Sequence, residues 1–267
     1  MTEDRLTVPI NPAGNVMLHR SLLLASVLGF GLSLTVPARA VDMPAYIHAA
    51  IADPARNADT QADARRHPAE LAAFAQVRPG DTVVDLIPGS GYFTRIFSKI
   101  VGQKGHVYAV WPSEYANEAA DDVTATKAMA GKPEYANVSV IVQPAANFAI
   151  PTKADVVWTS QNYHDYPDKF MGKIDPVSFD RQVYAALKPG GVFVVVDHVA
   201  DAGSGMRDTD TLHRIDPAIV KMQVTSVGFK FDGASDVLRN PADTHKTTVF
   251  DKSIRGHTDQ FVYRFRK

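Results

Sequence analysis

Val83-Val84-Asp85-Leu86-Ile87-Pro88-Gly89-Ser90-Gly91-Tyr92-Phe93-Thr94 reads as a short β-strand, a glycine turn and the opening of a helix. Glycines let the backbone adopt positive φ and come close to a ligand. The helix behind them starts with unpaired N–H groups. In doubly wound sheets such a loop, at the carboxyl end of the first strand, is where nucleotides bind. The dinucleotide fingerprint G-x-G-x-x-G is not met, because Gly89-Ser90-Gly91 runs straight into Tyr92-Phe93-Thr94.

Outward from this stretch, apolar runs alternate with helical patterns. Arg78-Pro79-Gly80-Asp81 signals a turn before the first strand. Further strands are expected over 105–110, 138–142, 154–159 and 192–197, with helices over 92–100, 114–130 and 179–187 between them. Lys188-Pro189-Gly190-Gly191 makes a sharp turn before the fifth strand. A helix over 217–227, the segment Gly228-Phe229-Lys230-Phe231 and an alternating strand over 260–265 close the chain. The intervening connection suits an irregular rim around an active site. Ahead of the first strand, 42–76 reads as a largely helical cap, with a charged, polar stretch over 56–66. Strand–helix alternation predicts an α/β fold: a Rossmann-like, doubly wound, mostly parallel seven-stranded sheet with helices on both faces.

Several of these segments together resemble the class I S-adenosylmethionine-dependent methyltransferases. Their first motif is an acidic residue followed by Gly-x-Gly-x-Gly. Asp85 matches the acid, Gly89 and Gly91 match the second and third glycines, and Ile87 replaces the first. Val101-Gly102-Gln103-Lys104-Gly105-His106-Val107-Tyr108-Ala109 and Leu187-Lys188-Pro189-Gly190-Gly191 are also similar to that family. Within it the chain resembles a predicted-methyltransferase family of bacteria whose members are often exported. The segments carrying this are Asn162-Tyr163-His164-Asp165, Thr211-Leu212-His213-Arg214-Ile215-Asp216 and Leu238-Arg239-Asn240-Pro241. The resemblance implies S-adenosylmethionine as cofactor, with Asp85, Gly89, Ser90 and Gly91 at its methionine end. Family members usually grip the ribose with an acid at the tip of the second strand. Trp111 stands there, with Glu114 three residues on; Trp111 would stack on adenine and Glu114 would take the ribose. Asn147 stands in for the acid that contacts adenine after the third strand.

The candidate chemistry lies at the carboxyl ends of the fourth and fifth strands. Methyl transfer from a sulfonium needs in-line placement of the nucleophile and often a base for its proton. His164 has the intrinsic pKa for that role, Asp165 could orient it, and His198 is expected across the crevice. Asn162 and Tyr163 are placed at substrate or cofactor. His213-Arg214 could close over the site, Arg214 binding an anionic substrate. The two histidines with Asp165 or Asp197 could instead hold a divalent ion, but the spacing matches no recognised metal motif and no metal is assigned. Two other function classes fit the same residues: a lyase or hydrolase built on this scaffold, and a non-catalytic binder using Tyr92, Trp111, Tyr163 and Tyr166.

The chain has 267 residues, 45% of them hydrophobic, which suits one α/β domain over 41–267. Lys and Arg number 28 against 29 Asp and Glu, a balance that argues against a general polyanion-binding surface; the expected partner is a small-molecule substrate, not nucleic acid. The absence of cysteine excludes disulfides, thiolate metal sites and a Cys nucleophile. His19-Arg20, the apolar run Ser21 to Leu34 and Ala38-Arg39-Ala40 together read as a signal peptide over 1–40. That run is shorter than the roughly 20 residues of a membrane-spanning helix. Met17 reads as the true start, with 1–16 an upstream extension. The expectation is a periplasmic protein with no stable membrane insertion after cleavage.

Overall fold

The computed structural model describes residues 43–267, and the expected signal peptide lies outside the described residues. The helical cap comprises α1 (Ala45–Ile51), α2 (Thr60–Arg66) and α3 (Pro68–Phe74). Next come β1 (Thr82–Leu86), α4 (Tyr92–Val101), β2 (His106–Pro112), α5 (Ser113–Ala116), α6 (Ala120–Ala130) and β3 (Val138–Gln143). The second half holds β4 (Ala154–Ser160), α7 (Pro176–Ala186), β5 (Leu187–His198), α8 (Thr209–Leu212), α9 (Pro217–Ser226), β6 (Lys230–Ser235) and β7 (Gln260–Arg266). No helix among the described residues is long and apolar enough to cross a membrane.

The seven strands form one sheet in the order β3-β2-β1-β4-β5-β7-β6. The first five run parallel and β7 runs antiparallel to both neighbours, so the expected mostly parallel, doubly wound sheet is observed. Because successive strand residues point to opposite faces, each strand feeds two cores. Val84, Leu86, Val157 and Val195 pack with Phe179 and Val183 of α7 and Val220 and Val224 of α9. Val83, Val156, Trp158 and Val194 pack with Ile47 of α1, Leu71 of α3 and Ile96 and Phe97 of α4. Phe93, Ile96, Phe97 and Ile100 recur at helical spacing, which gives α4 its buried stripe. Two of them close on Trp158, ring centroids 4.7 and 5.5 Å away. Truncating so large a buried ring costs about 3–5 kcal/mol.

The order of strands positions the site. From β1 the chain winds outward to β2 and β3, then returns to the other side of β1 to lay down β4 and β5. Connections leaving β1 and β4 therefore diverge to opposite faces and leave a crevice at their carboxyl ends.

Three local expectations need correction. β2 runs two residues further than the sequence predicts, because Trp111 and Pro112 continue the ladder with Val142 and Gln143 of β3. The helix expected over 114–130 is two helices, α5 and α6, interrupted at 117–119. The polar stretch over 56–66 includes the ordered helix α2. Arg56 and Asp63 pair at 2.8 Å, and Asp63 accepts the Tyr92 hydroxyl at 2.5 Å, fastening the cap to α4.

Candidate active site

A cavity of about 960 Å³ occupies that crevice. It lies near the upper end of the roughly 300–1,000 Å³ range of small-molecule sites. It is lined by the β1 loop, the β4 loop and, among others, Tyr115, Glu118, Asp122 and Phe250.

At the glycine end, Asp85 is the last polar residue of β1 and is only 2% exposed. The Thr94 hydroxyl donates to its carboxylate at 2.6 Å. Burial pushes the Asp85 carboxyl up to about 7, against the pull of that hydrogen bond and of the Arg66 cation. Arg66 reaches the cavity from α2 and lies over the rings of Tyr92 and Phe93 at 4.5 and 5.1 Å. Ile87 adopts a left-handed backbone (φ 50°), the conformation a glycine would take in the resembled motif. Its side chain packs into the core and edges the cavity without closing it. Gly89, also left-handed at φ 57°, has no atom within 4 Å of the position of an added Cβ, so the loop stays open. Thr126 donates to the Gly89 carbonyl at 2.7 Å and holds the loop from α6.

At the other end three histidines gather. The β4 loop turns back because Gln161 N–H donates to the Val196 carbonyl at 2.7 Å, extending the Ser160–Val196 register. This sets His164 beside Asp197, the penultimate residue of β5. His164 Nδ1 lies 2.8 Å from Asp197 Oδ1, and the His164 backbone N–H donates to Asp197 Oδ2 at 2.8 Å. His164 Nε2 lies 3.2 Å from Asp165 Oδ1 and 3.3 Å from His213 Nδ1. Burial pulls the His164 imidazole down, but the carboxylates of Asp197 and Asp165 outweigh it and raise its pKa well above the usual range. Burial likewise works to raise Asp165, yet the neighbouring histidines hold it below the usual carboxylate range. His198 stands 6.1 Å from His164, ring to ring. Burial pushes its pKa down to about 3, and its Nδ1 pairs with the Thr258 hydroxyl at 2.7 Å. One acidic pair of neighbours thus shifts His164 upward while burial shifts its neighbour His198 downward.

The cavity brings together Asp85, Gly89, Ser90, Asn162, His164, Asp165 and His198 of the residues expected from the sequence. Asn162 Oδ1 is buried with no hydrogen-bond partner among the described residues. Six other residues expected at the site do not line the cavity. Gly91 caps α4 and backs onto Arg95 and Met129 instead of the cavity. Trp111 is wholly buried inside the sheet, so no face remains to stack on adenine. Glu114 accepts the Ala145 backbone N–H at 3.0 Å and fixes the β3 loop instead of a ribose. Asn147 is exposed outside the cavity. Tyr163 is wholly buried and donates its hydroxyl to Asp180 at 2.9 Å. Arg214 is also wholly buried, spent on a two-pronged pair with Asp243 at 2.9 and 3.1 Å and on the Val199 carbonyl. Trp111, Tyr163 and Tyr166 also drop out of the aromatic set expected of a binder, since all three are core residues.

Sequence reasoning overlooked Arg66, Gln161, Glu118 and Asp122, and it read Asp197 only as a metal-ligand alternative. Arg66 was legible as part of a charged stretch that has no reason to be charged on one face of a cap. Asp197 could be found from the strand pairing, which puts the tips of β4 and β5 side by side. Glu118 and Asp122 follow from the break between α5 and α6, which the sequence does not announce.

No protein-family model matches the sequence. The ubiquinone/menaquinone biosynthesis C-methyltransferase UbiE of Vibrio vulnificus is 29% identical over 188 residues, 68% of this chain and 60% of that protein. The UbiE of Hydrogenovibrio crunogenus is 27% identical over 136 residues, 50% of this chain and 47% of that protein. The chain thus spans about 60% or less of the length of these curated relatives. Among solved structures, a SAM-dependent methyltransferase from Aquifex aeolicus superposes with a TM-score of 0.54 at 17% identity, covering 80% of this chain and 93% of that one. The cyclase SpnF superposes with a TM-score of 0.57 at 16% identity, covering 76% of this chain and 80% of that one. The fold is the class I methyltransferase fold.

Proposed function

We propose that the chain is an S-adenosylmethionine-dependent methyltransferase acting on a small-molecule acceptor. The observation that carries this reading is the cavity at the crevice between β1 and β4, floored by buried Asp85 and opened by Gly89 and Ser90. The sequence likeness to C-methyltransferases supports it from an independent direction.

The cavity's donor set fits such a cofactor. Arg66 offers a cation to an amino-acid carboxylate, and Asp85 a buried carboxylate to its ammonium. Glu118 and Asp122 are the carboxylates available to a ribose diol. Tyr115 and Phe170 offer aromatic surface, their rings 5.5 Å apart and edge-on. When bound, the cofactor supplies an electrophilic methyl group on a sulfonium sulfur. The chain's own part is placement. Asp85, Gly89, Ser90 and Arg66 hold the donor; Asn162, His164 and His198 line the acceptor end and orient the acceptor. Asp197 and Asp165 are positioning residues that fix the His164 ring.

A second reading, a non-methylating enzyme on the same scaffold, is favoured by one observation. The slot beside Pro112, Gln143 and Pro144, where an adenine would be expected, encloses only about 10 Å³. The cyclase SpnF shows that this fold is not confined to proteins named as methyltransferases. Titration calorimetry with S-adenosylmethionine and S-adenosylhomocysteine separates the two. Binding that weakens about tenfold or more in Asp85→Asn and Arg66→Ala supports the donor site; no heat at millimolar ligand ends it. Export to the periplasm belongs to the same proposal and is supported by the sequence of residues 17–40. A mature protein whose intact mass still includes Leu22 to Leu34 would refute it.

A further inference from the structure

We infer that His164, Asp165 and His213 form a site for a divalent transition-metal ion of the zinc type, open to the cavity. His164 Nε2, Asp165 Oδ1 and His213 Nδ1 converge with separations of 3.2, 3.3 and 3.8 Å. Nitrogen and oxygen ligands about 2.1 Å from a zinc ion at tetrahedral angles stand about 3.4 Å apart, whereas right-angled octahedral ligands stand about 3.0 Å apart. The triangle therefore has the dimensions of one face of a tetrahedron. Two imidazoles and one carboxylate are the ligand types of catalytic zinc sites, which keep a fourth position for water or substrate.

The surroundings support the ligands as a metal centre requires. Asp197 Oδ1 pairs with His164 Nδ1 at 2.8 Å and so turns Nε2 toward the triangle, a carboxylate–histidine–metal relay in the making. Asp197 is itself fixed by the backbone N–H groups of His164 and His198, both at 2.8 Å. His213 is held edge-on by Phe250 at 4.7 Å. Its left-handed backbone (φ 54°), costly for a histidine, keeps the ring at this point. Nearby, Asp168 Oδ2 is buried without a hydrogen-bond partner among the described residues, and Asp210 lines the cavity. The local charge is therefore negative, which attracts a cation. All three ligand residues line the cavity, so an ion has an entry path and its open position faces a bound small molecule. The ligand class for that position is water or an anionic oxygen. This site shares His164 and Asp165 with the acceptor end of the proposed function but none of the donor-holding residues Asp85, Gly89, Ser90 and Arg66.

The test uses the full chain, treated with chelator, and Zn²⁺ alone with no methyl donor present. Titration calorimetry is expected to give one equivalent bound. His213→Asn, whose new residue tolerates the left-handed backbone, and Asp165→Asn should each weaken binding by about 100-fold or more. His257→Ala, outside the triangle, should leave it unchanged. Co²⁺ loaded into the wild type should show the intense visible bands of a tetrahedral nitrogen–oxygen site, and this readout stands even if a variant fails to fold. Absence of Zn²⁺ binding at millimolar ion, unchanged binding in both folded variants, or an octahedral aquo-type Co²⁺ spectrum overturns the site. None of these results depends on whether S-adenosylmethionine binds.

Discussion

Replacing Asp85 by asparagine should make the fold more stable above neutral pH while damaging the donor site. The Asp85 carboxyl ionises at about 7 in the folded chain against 3.8 when free, chiefly because it is buried. A group whose folded pKa is raised contributes its full share of stability below the unfolded pKa and loses that share as pH rises through the folded one. The window here is pH 3.8 to about 7. At about 1.4 kcal/mol per pKa unit, the ionised carboxylate costs the fold about 4 kcal/mol at pH 8. Of this, about 3 kcal/mol develops between pH 5 and pH 8. Asparagine has no such dependence, and its oxygen can still accept from Thr94. Any penalty for its buried amide is the same at every pH, so the difference between pH values isolates the charge. For a domain of this size 1 kcal/mol moves Tm by about 2–4 °C. The Tm of Asp85→Asn relative to wild type should therefore climb by about 10 °C from pH 5 to pH 8, followed by circular dichroism. Binding of S-adenosylhomocysteine at pH 8 should weaken by about tenfold or more, since a charge-assisted hydrogen bond is lost. A Tm difference that stays flat across this range would refute the reasoning, because it would mean that Asp85 is never a buried charge.

Arg66→Ala should raise the calorimetric Kd for S-adenosylhomocysteine about tenfold and lower Tm modestly, because it removes a cation stacked on Tyr92 and Phe93. Trp111→Phe should lower Tm but leave that Kd within about twofold, since the indole is sealed in the sheet; a large loss of affinity would restore it to the site. Asp243→Ala should cost about 3–5 kcal/mol in urea unfolding, because it strands the wholly buried Arg214 guanidinium. Gly89→Ala should cost only about 1 kcal/mol of stability, since its left-handed backbone meets no steric neighbour, but its new Cβ enters the cavity and should weaken ligand binding.

What was legible in the sequence follows from how each feature is encoded. The sheet was readable because β1, β4 and β5 are buried on both faces, which forces continuous Val-rich runs bounded by glycine and proline. The loop from Ile87 to Gly91 was readable because a left-handed turn before a helix leaves a local glycine signature. Side-chain direction was not readable. Trp111 looked like a residue at a strand tip, but two extra rungs of pairing with β3 draw it into the core. Arg214 looked free for an anion, but its partner Asp243 is 29 residues away along the chain. Tyr163 sits one residue from His164, yet the short 3₁₀ turn over 163–165 sends the two to opposite sides, one to Asp180 and one to Asp197. Pairings of this kind are set by tertiary packing, and no local period records them.

The strained backbone tells where the fold gives up stability. Among the described residues, seven non-glycine residues adopt positive φ, and three of them, Ile87, Gln161 and His213, line the one large cavity at the strand ends. Such conformations cost about 1–3 kcal/mol each and persist only where the surroundings over-determine them. Each is pinned by a neighbour's carbonyl: Ile87 N–H by Val110 at 2.8 Å, Gln161 N–H by Val196 at 2.7 Å and His213 N–H by Thr209 at 3.0 Å. Glycine at these positions would remove the strain and the side chain together. The side chains are what the crevice uses: Ile87 shapes its edge, Gln161 lines the wall beneath the β4 loop, and His213 supplies the third nitrogen-or-oxygen donor of the triangle. The clustering of strain, of two oppositely shifted imidazoles and of the buried Asp85 carboxyl in one crevice is hard to derive from packing alone. The left-handed residues and the buried Asp85 carboxyl cost stability, and their gathering at one crevice accords with the proposed ligand-binding role of this end of the sheet.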